Sequence, residues 1–393
     1  MSRRALLAAF SVAHFAHHVT NSLLSALLPF IRDAFVLSNT QAGFAVTAYT
    51  IASGVMNAPL GLLADRVGAR RVIVGGLVLI GIASVAIGLS GSYWALLLGL
   101  VVMGIASGTY HAPASALIAE TFTFARRGVA LGTHTTAGHL SFFAAPLVAG
   151  TLAATGTWRL PYILFAIAPI ACALLLLRVA PSGVRSTERH EWLATFSDIA
   201  RVARSVGSLV SISIVAQVLL SSALAFLTLY LVDARGVSPA IAAALFGVPQ
   251  LAGLVAAPLS GALSDRFGRP AVLLGALVAS GPAAWLLVAM PIELVIIPLL
   301  LIGACLSFRT TTTEVLIIDN TPVSRRSTVL GTYYLVNQPV GGIAAPIFGA
   351  IADASGIASA FSWLALAFVA LSAVALVASA TGAARIRAAS SAG

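Results

Sequence analysis

The chain is built from long blocks of apolar residues separated by short polar stretches. Hydrophobic residues make up 59% of its 393 residues and charged residues only 9%. A soluble domain carries roughly 25% charged residues, and a helix that crosses a bilayer core of about 30 Å needs about 20 residues. The blocks lie at residues 5–30, 40–63, 72–90, 93–118, 128–154, 159–178, 207–231, 240–263, 271–289, 292–318, 328–351 and 357–380. The sequence therefore predicts an all-α integral membrane protein with twelve transmembrane helices.

The apolar blocks fall into two groups of six. Between them, residues 179–206 form the longest charged stretch, which we interpret as a cytoplasmic linker that is partly an amphipathic helix. We therefore predict an N-terminal six-helix bundle over residues 1–178 and a C-terminal six-helix bundle over residues 207–393. The first block follows a basic start like that of a signal peptide, but it is too long and holds three histidines. We expect it to be a retained membrane helix.

The arginines indicate how the chain is oriented. Eighteen of the 22 basic residues, all of them arginine, lie in segments on the same side as the N-terminus. Three, Arg32, Arg159 and Arg235, lie on the other side. Because arginines concentrate in cytoplasmic loops, we predict that both termini are cytoplasmic, in the inner membrane of a prokaryote. The net charge of +10 comes from these scattered residues, so we expect a lipid bilayer as partner and no nucleic acid.

The second half of the chain repeats the first. Residues 61–68 (GLLADRVG) recur 200 positions later as residues 261–268 (GALSDRFG). Charged loop residues match at nearly the same offset, as Glu120 matches Asp319. Two parallel copies of one six-span unit form a transporter architecture, with the substrate site near the middle of the membrane. We therefore predict two pseudo-symmetric six-helix bundles.

The repeated segment resembles the loop 2–3 signature of the major facilitator superfamily, here GLLADRVGARR at residues 61–71 with a second copy at residues 261–269. The resemblance covers the whole chain and implies the major facilitator fold and a monomeric secondary transporter that works by alternating access. It also implies that the aspartate of each copy caps a helix start, where the positive end of the helix dipole favours a carboxylate. The implied conformational gate comprises Gly61, Asp65, Arg66, Gly68, Arg70, Gly261, Asp265, Arg266 and Gly268.

A narrower pattern resembles the fosmidomycin-resistance-like efflux subfamily. It is carried by Ser11, His14, Ser22 and Pro29 in the first span and by residues 108–113 (GTYHAP) in the fourth. This chain departs from the subfamily in having His17 and His18 where an Asn-Asp pair is usual. Leu100 stands where the superfamily often has an arginine, and Ala145 where the antiporter motif has a glycine. The resemblance implies export of small compounds, while the departures leave the coupling chemistry open.

Polar residues within the apolar blocks are candidates for function, because ionisable groups are costly in a membrane. Six of the seven histidines lie in the spans of the first half, and several share one face of the first helix. The resemblance implies that helices 1, 4, 7 and 10 line the cavity; packing histidines bonded to neighbouring helices are the alternative. The predicted substrate-binding residues are His14, His17, His18, Asn21, His111, His139, Gln217, Gln250, Arg309 and Asn337. The predicted proton carriers are His18, His111 and Glu314.

Arg309 stands alone within the tenth apolar block, followed by four threonines and Glu314. A guanidinium can hold a carboxylate or phosphonate through two hydrogen bonds, so Arg309 could anchor an anionic substrate. The alternative is an intramembrane ion pair with Glu314 or a bond to a backbone carbonyl. Glu314 is correspondingly either a proton carrier or a residue at the cytoplasmic end of the span.

Other classes of protein fit the sequence less well. His14, His17 and His18 spell the HxxHH box of membrane di-iron desaturases, but no second such box follows, so we expect neither an enzyme nor a cofactor. Imidazoles also suit transition metals, which leaves a metal transporter as one alternative, although we expect no resident metal. The main expectation is proton-coupled export of a small organic compound, and an anionic compound is favoured over a cationic one. Proton-coupled uptake of a small organic anion is the other alternative.

Overall fold

The structure is a computed structural model that describes residues 2–181, 192–321 and 326–391. All regular elements in these ranges are helices. The helices of the first part are α1 (Arg3–Asn21), α2 (Leu23–Ala26), α3 (Leu28–Phe35), α4 (Asn39–Val67), α5 (Ala69–Gly88), α6 (Tyr93–Ser107), α7 (His111–Thr121), α8 (Phe124–Thr155), α9 (Arg159–Phe165) and α10 (Ile167–Val179). They are followed by α11 (Trp192–Asp233), α12 (Pro239–Phe246), α13 (Val248–Phe267), α14 (Arg269–Ala289), a 3-10 turn (Ile292–Leu294), α15 (Ile296–Asp319), α16 (Arg326–Ser355) and α17 (Ile357–Ser391).

The predicted all-α membrane fold is confirmed. Ten helical stretches of the described residues are long and apolar enough to cross a membrane, and each lies over one of the predicted apolar blocks. The eleventh block contains a shorter apolar helix, Pro339–Ser355. The first block differs from the expected single helix, because it is divided at Ser22 and Leu27 into α1, α2 and α3.

The chain forms two compact units that are not simple halves of the sequence. The first unit comprises Met1–His190, Leu224–Gly247 and Tyr334–Ile357. The second comprises Glu191–Ala223, Val248–Tyr333 and Ala358–Gly393. The bundles and linker predicted from the sequence follow chain order and stay a prediction. Residues 182–191 of the predicted linker lie outside the described residues.

Equivalent residues of the repeat start equivalent helices. Ser38 caps α4 by accepting a hydrogen bond from the Gln41 backbone N–H at 3.2 Å. Ser238 caps α12 by accepting from the Ile241 backbone N–H at 3.4 Å. Ser38 and Ser238 stand 200 positions apart, so the same side-chain oxygen satisfies a free N–H at the start of both helices.

One close helix contact occurs within each unit at equivalent positions of the repeat. In the first unit, α6 packs at Gly104 against the backbone carbonyl of Tyr49 in α4. In the second unit, α15 packs at Gly303 against the backbone carbonyl of Pro249 in α13. A Cβ at either glycine would collide with that carbonyl. Because these pairs stand 199 and 200 residues apart, the two units share one packing pattern as well as one sequence pattern.

The repeated loops turn at glycines that need a positive φ. Gly68 has φ 99° between α4 and α5, and Gly268 has φ 88° between α13 and α14. Residues with a Cβ rarely adopt such angles. Both copies of the repeated loop therefore turn at a glycine that the backbone conformation favours.

Ionic contacts tie together one end of the first unit. Arg32 at the end of α3 forms a salt bridge with Asp233 at the end of α11. Asp353 in α16 accepts hydrogen bonds from the backbone N–H groups of Asn39 and Thr40 at 2.8 and 2.9 Å, which caps the start of α4. Burial alone would raise the pKa of Asp353, but the hydrogen bonds from Thr40 and Asn39 outweigh it and lower the pKa of this carboxyl.

Candidate functional site

Five imidazole rings meet inside the first unit. His14, His17 and His18 extend from α1, His111 starts α7, and His134 lies in α8. The ring of His14 stacks on that of His134 with their centroids 4.1 Å apart. It also lies 4.8 Å from the ring of His18 and 5.3 Å from that of His111. The structure thus brings together four histidines that the sequence places in the predicted site, and it adds His134.

Hydrogen bonds to backbone carbonyls fix two of these rings. The Nδ1 of His14 bonds to the carbonyl oxygen of His134 at 2.7 Å. The Nε2 of His17 bonds to the carbonyl oxygen of Ser107 at 3.2 Å. A carbonyl can only accept, so each of these ring nitrogens carries the proton. Gly138 makes room for the His14 ring, because a Cβ there would lie 2.7 Å from the ring carbon Cε1.

Ser107, at the end of α6, forms hydrogen bonds that link α6 to two other helices beside the histidines. Its hydroxyl accepts a hydrogen bond from Asn21 Nδ2 at 3.2 Å and lies 3.1 Å from the hydroxyl of Tyr49. The Ser107 hydroxyl is also 3.3 Å from His17 Nε2. The sequence pattern pointed to Asn21 but to neither Ser107 nor Tyr49, since a serine and a tyrosine in apolar helices carry no distinctive signal.

Several buried polar atoms of this cluster have no hydrogen-bond partner within the described residues. They are His14 Nε2, His17 Nδ1, His18 Nδ1, His134 Nδ1 and Asn21 Oδ1. Buried polar atoms normally find a partner, because leaving one unsatisfied is energetically costly. The cluster therefore offers unused lone pairs to a proton, a water molecule, a metal ion or a polar ligand.

Arg309 is the largest fully buried side chain of the second unit, with only 1% of its surface exposed. Its Nη1 donates to the carbonyl oxygen and the hydroxyl of Ser213 at 3.2 and 3.1 Å. Its Nη2 donates to Gln217, a residue that the sequence also predicts in the site. Tyr333 hydrogen-bonds to the guanidinium, and Glu314 attracts it electrostatically. The guanidinium is thus held mainly by neutral acceptors.

A pocket opens beside Arg309 within the second unit. Apart from Arg309, Ser280 and Cys305, its walls are aliphatic or aromatic. Its apolar lining comprises Ala216, Leu220, Ala223, Ala284, Leu287, Ile302, Leu306, Phe361, Leu364, Ala365 and Phe368. An apolar pocket with one cation suits a small molecule that combines an apolar body with an anionic group.

The remaining predicted residues are spread over both units. In the first unit, half-buried His139 in α8 lies near enough to His14 to act on it electrostatically. Asn337 in α16 is buried in the same unit. In the second unit, Gln250 in α13 and Glu314 in α15 are both half-buried. The structure thus places seven predicted binding residues in the first unit and Gln217, Gln250 and Arg309 in the second.

The gate residues of the two repeated loops make different contacts. In the first loop Asp65 and Arg66 are exposed, and Arg70 donates to the carbonyl of Ala180 at 3.1 Å. In the second loop Asp265 pairs with Arg269 at 2.6 Å, and Arg269 also bonds to Asp319 at 3.2 Å.

The other second-loop residue, Arg266, lies over the ring of Phe267, 5.2 Å from its centroid. Gly61 and Gly261 differ from the turn glycines in lying within helices without a positive φ, and a Cβ at either position would meet no atom within 4 Å. Neither of them therefore requires glycine for packing.

A comparison with known families establishes the class of protein. The profile of the Major Facilitator Superfamily matches residues 10–221 and, a second time, residues 209–390. The chain belongs to the major facilitator superfamily. It is accordingly a multi-pass membrane protein that transports small compounds as a secondary transporter, and it is not an enzyme.

Individual relatives agree with this class. The chain is 27% identical to the multidrug resistance protein MdtG of Enterobacter lignolyticus over 360 residues, which cover 86% of this chain and 84% of MdtG. It is also 27% identical to MdtG of Escherichia coli over 331 residues, or 81% of this chain and 79% of that one. The resemblance to fosmidomycin-resistance transporters stays a prediction.

Solved transporter structures share the fold. A nucleoside transporter, NupG, superposes with a TM-score of 0.79 at 15% identity, over 95% of this chain and 98% of its own. A peptide transporter, POT, in complex with sulfate also gives 0.79, at 14% identity over 95% and 94% of the two chains. A bacterial homologue of the human lysosomal transporter Spinster gives 0.74 at 18% identity, over 96% and 97%. At these identities the likeness concerns the fold alone.

Proposed function

We propose that this protein is a proton-coupled exporter of small organic compounds with an anionic group. It works by alternating access in the inner membrane of a prokaryote, as a monomer with both termini in the cytoplasm. Arg309 is the observation that carries the anion preference. The names of the MdtG relatives, multidrug resistance proteins, favour export over uptake.

The surroundings of Arg309 suit reversible anion binding. A buried cation needs compensation, and here hydrogen bonds to Ser213 and Gln217 supply part of it. A guanidinium carries five N–H donors, and the bonds to Ser213, Gln217 and Tyr333 occupy up to four of them. An arriving carboxylate or phosphonate would take the remaining donor and replace one of these neutral groups. The apolar pocket beside Arg309 would hold the body of the cargo.

Protons have candidate carriers in both units. His18 and His111 are half-buried, and histidine changes its charge near physiological pH in its ordinary state. Glu314 is half-buried and coupled electrostatically to Arg309 and Tyr333.

Alternating access requires contacts that form and break at the two ends of the transporter. The Arg32–Asp233 bridge and the cap that Asp353 gives to α4 are contacts of this kind. They join helices from the two halves of the sequence at what we propose is the outer end, because the arginine distribution places residues 32 and 235 outside. A state open to the outside must release both.

The proposal is tested in everted membrane vesicles that carry the protein. An acid-inside gradient is established, followed with a pH-sensitive dye, and challenged with fosmidomycin and with panels of small organic anions and cations. We expect anions to dissipate the gradient, which empty vesicles must not show. The Arg309→Ala variant should lose this response, whereas Arg178→Ala, which removes an exposed arginine, should keep it.

Three other results would contradict parts of the proposal. A response to organic cations alone would contradict the anion preference. An unchanged response in a well-expressed Arg309→Ala variant would contradict the anchoring role. Movement of the anion and the proton in the same direction across the vesicle membrane would support uptake, the alternative function.

A further inference from the structure

The histidine cluster of the first unit has the chemistry of a metal site. One ligand nitrogen each from His14, His18 and His111 lies within 4.8 Å of the other two. The three residues come from α1 and α7, so the arrangement depends on tertiary packing and not on one local motif. Three imidazoles with a fourth position left open are a ligand set that zinc adopts in proteins.

The tautomer of His14 is already set for coordination. Its Nδ1–H donates to the carbonyl of His134 at 2.7 Å, which leaves the lone pair on Nε2. That Nε2 is buried and has no hydrogen-bond partner within the described residues. A metal-binding histidine characteristically donates its other N–H to a carbonyl or carboxylate, which fixes the ring and raises its basicity.

The neighbouring rings support the same function. His18 Nδ1 is likewise a buried nitrogen without a partner in the described part of the chain. His17 is held by the Ser107 carbonyl and lies 4.9 Å from the His111 ring, centroid to centroid. The stacked ring of His134 and the close approach of Gly138 keep His14 in place. One side of the site is therefore rigid.

The side formed by His18 and His111 must close slightly around an ion. Two nitrogens bound to one zinc ion at about 2.0–2.1 Å in tetrahedral geometry lie about 3.4 Å apart. The ligand nitrogens, within 4.8 Å of one another, must therefore approach by up to about 1.4 Å. His18 and His111 are half-buried, unlike His14, so they have room to make this movement and give the ion a route to the site.

We propose that His14, His18 and His111 bind one divalent transition-metal ion of the zinc class, with water or an anion in the fourth position. Neutral imidazoles select such ions over magnesium or calcium, which prefer oxygen ligands. The ion and the proton use the same nitrogens. If His18 and His111 carry protons as proposed above, the ion therefore inhibits transport; this consequence rests on the proposed function, whereas binding does not.

Cobalt(II) is a suitable probe, because its visible absorption reports tetrahedral nitrogen coordination. The full chain is purified in detergent with a tag that contains no histidines, treated with a chelator and titrated with Co²⁺. We expect absorption bands that saturate at one equivalent and disappear when Zn²⁺ is added. The His111→Phe and His18→Phe variants, which keep a ring and remove the nitrogens, should show at least a tenfold weaker affinity.

The matched control is His190→Phe, because His190 lies in the predicted linker, and its titration should equal that of the unchanged protein. Thermal unfolding provides a second measurement: Zn²⁺ should raise the Tm of the unchanged chain and of His190→Phe, but not that of His111→Phe. Absent bands and an unchanged Tm in the folded wild-type chain would overturn the proposal, as would full binding by a His18→Phe and His111→Phe double variant. Neither measurement depends on transport, so failure here leaves the proposed function standing.

Discussion

Tyr110 and Arg309 occupy equivalent places in the two units, 199 residues apart in the repeat. Both are almost fully buried, with 0% and 1% of their surfaces exposed. Tyr110 donates to the carbonyl of Phe10 at 2.8 Å, and Arg309 donates to the carbonyl of Ser213 at 3.2 Å. Each side chain thus bonds to the first helix of its own repeat, but one is a neutral phenol and the other a cation.

The difference shows how one fold unit acquires two chemistries. Around Tyr110 the polar groups are imidazoles, with the rings of His17 and His14 centred 4.9 and 5.5 Å away. Around Arg309 they are Ser213, Gln217 and Tyr333, and Glu314 acts on the guanidinium through its charge. The duplicated backbone therefore places a buried hydrogen-bond donor at the same position in each unit. The residue types around it decide whether the donor lies in a histidine cluster or at a site for an anion.

The largest effect is expected when the first unit is given the cation of the second. Tyr110→Arg would bury a charge among imidazoles, without the serine, glutamine and tyrosine oxygens that surround Arg309. An uncompensated buried charge costs about 3–5 kcal/mol, so this variant should fail to accumulate as folded protein. Tyr110→Phe, which loses one hydrogen bond, should cost only about 1 kcal/mol. Size-exclusion profiles and thermal unfolding in detergent measure both; a folded, stable Tyr110→Arg protein would contradict the comparison.

The reverse substitution, Arg309→Tyr, should fold and lose function. A tyrosine at this position can still donate to the Ser213 carbonyl, as Tyr110 does to Phe10. Charged hydrogen bonds contribute about 1.5–3 kcal/mol, so the apparent affinity for organic anions should fall about 10- to 100-fold. Vesicle transport at varied anion concentration measures this change, with Arg178→Ala as the control. If Arg309→Tyr bound anions as tightly as the unchanged protein does, the proposed chemical difference between the two units would be contradicted.

Substitution of either turn glycine should lower the stability by a similar amount, because the two loops have the same backbone conformation. Alanine at Gly68 or Gly268 would be forced into a positive φ, at a cost of about 1–3 kcal/mol. Gly61→Ala and Gly261→Ala lie in helices with open space at the Cβ and should be neutral or slightly stabilising. Thermal unfolding of the four variants gives the comparison. A large loss from Gly68→Ala with none from Gly268→Ala would show that only one loop depends on its turn.

The smallest effect is expected at Ser107, which has a leucine, Leu306, as its counterpart in the repeat. Ser107→Ala would deprive Asn21 and Tyr49 of their shared hydroxyl. Each such hydrogen bond contributes about 1 kcal/mol, so we expect a modest fall in thermal stability. Ser115→Ala removes an exposed hydroxyl and serves as the control. Equal stability of the two variants would show that Ser107 does not organise the cluster.

The sequence predicted the features that depend on local pattern. Apolar block length identified the spans. The sequence could not predict the break of the first span at Ser22, because no proline or glycine marks that position. Nor could it show that Gly138 admits the His14 ring or that Ser213 and Gln217 hold Arg309, since these contacts join residues far apart in the chain.

Coupled transport itself is tested most directly with the purified protein in proteoliposomes. A pH gradient is imposed, acid inside, and the accumulation of a radiolabelled phosphonate anion is followed together with the internal pH. The account predicts that the anion accumulates above its external concentration while protons leave, and that a proton ionophore, which collapses the pH gradient, abolishes the accumulation. Accumulation that is indifferent to the ionophore, or transport of organic cations in place of the anion, would contradict it.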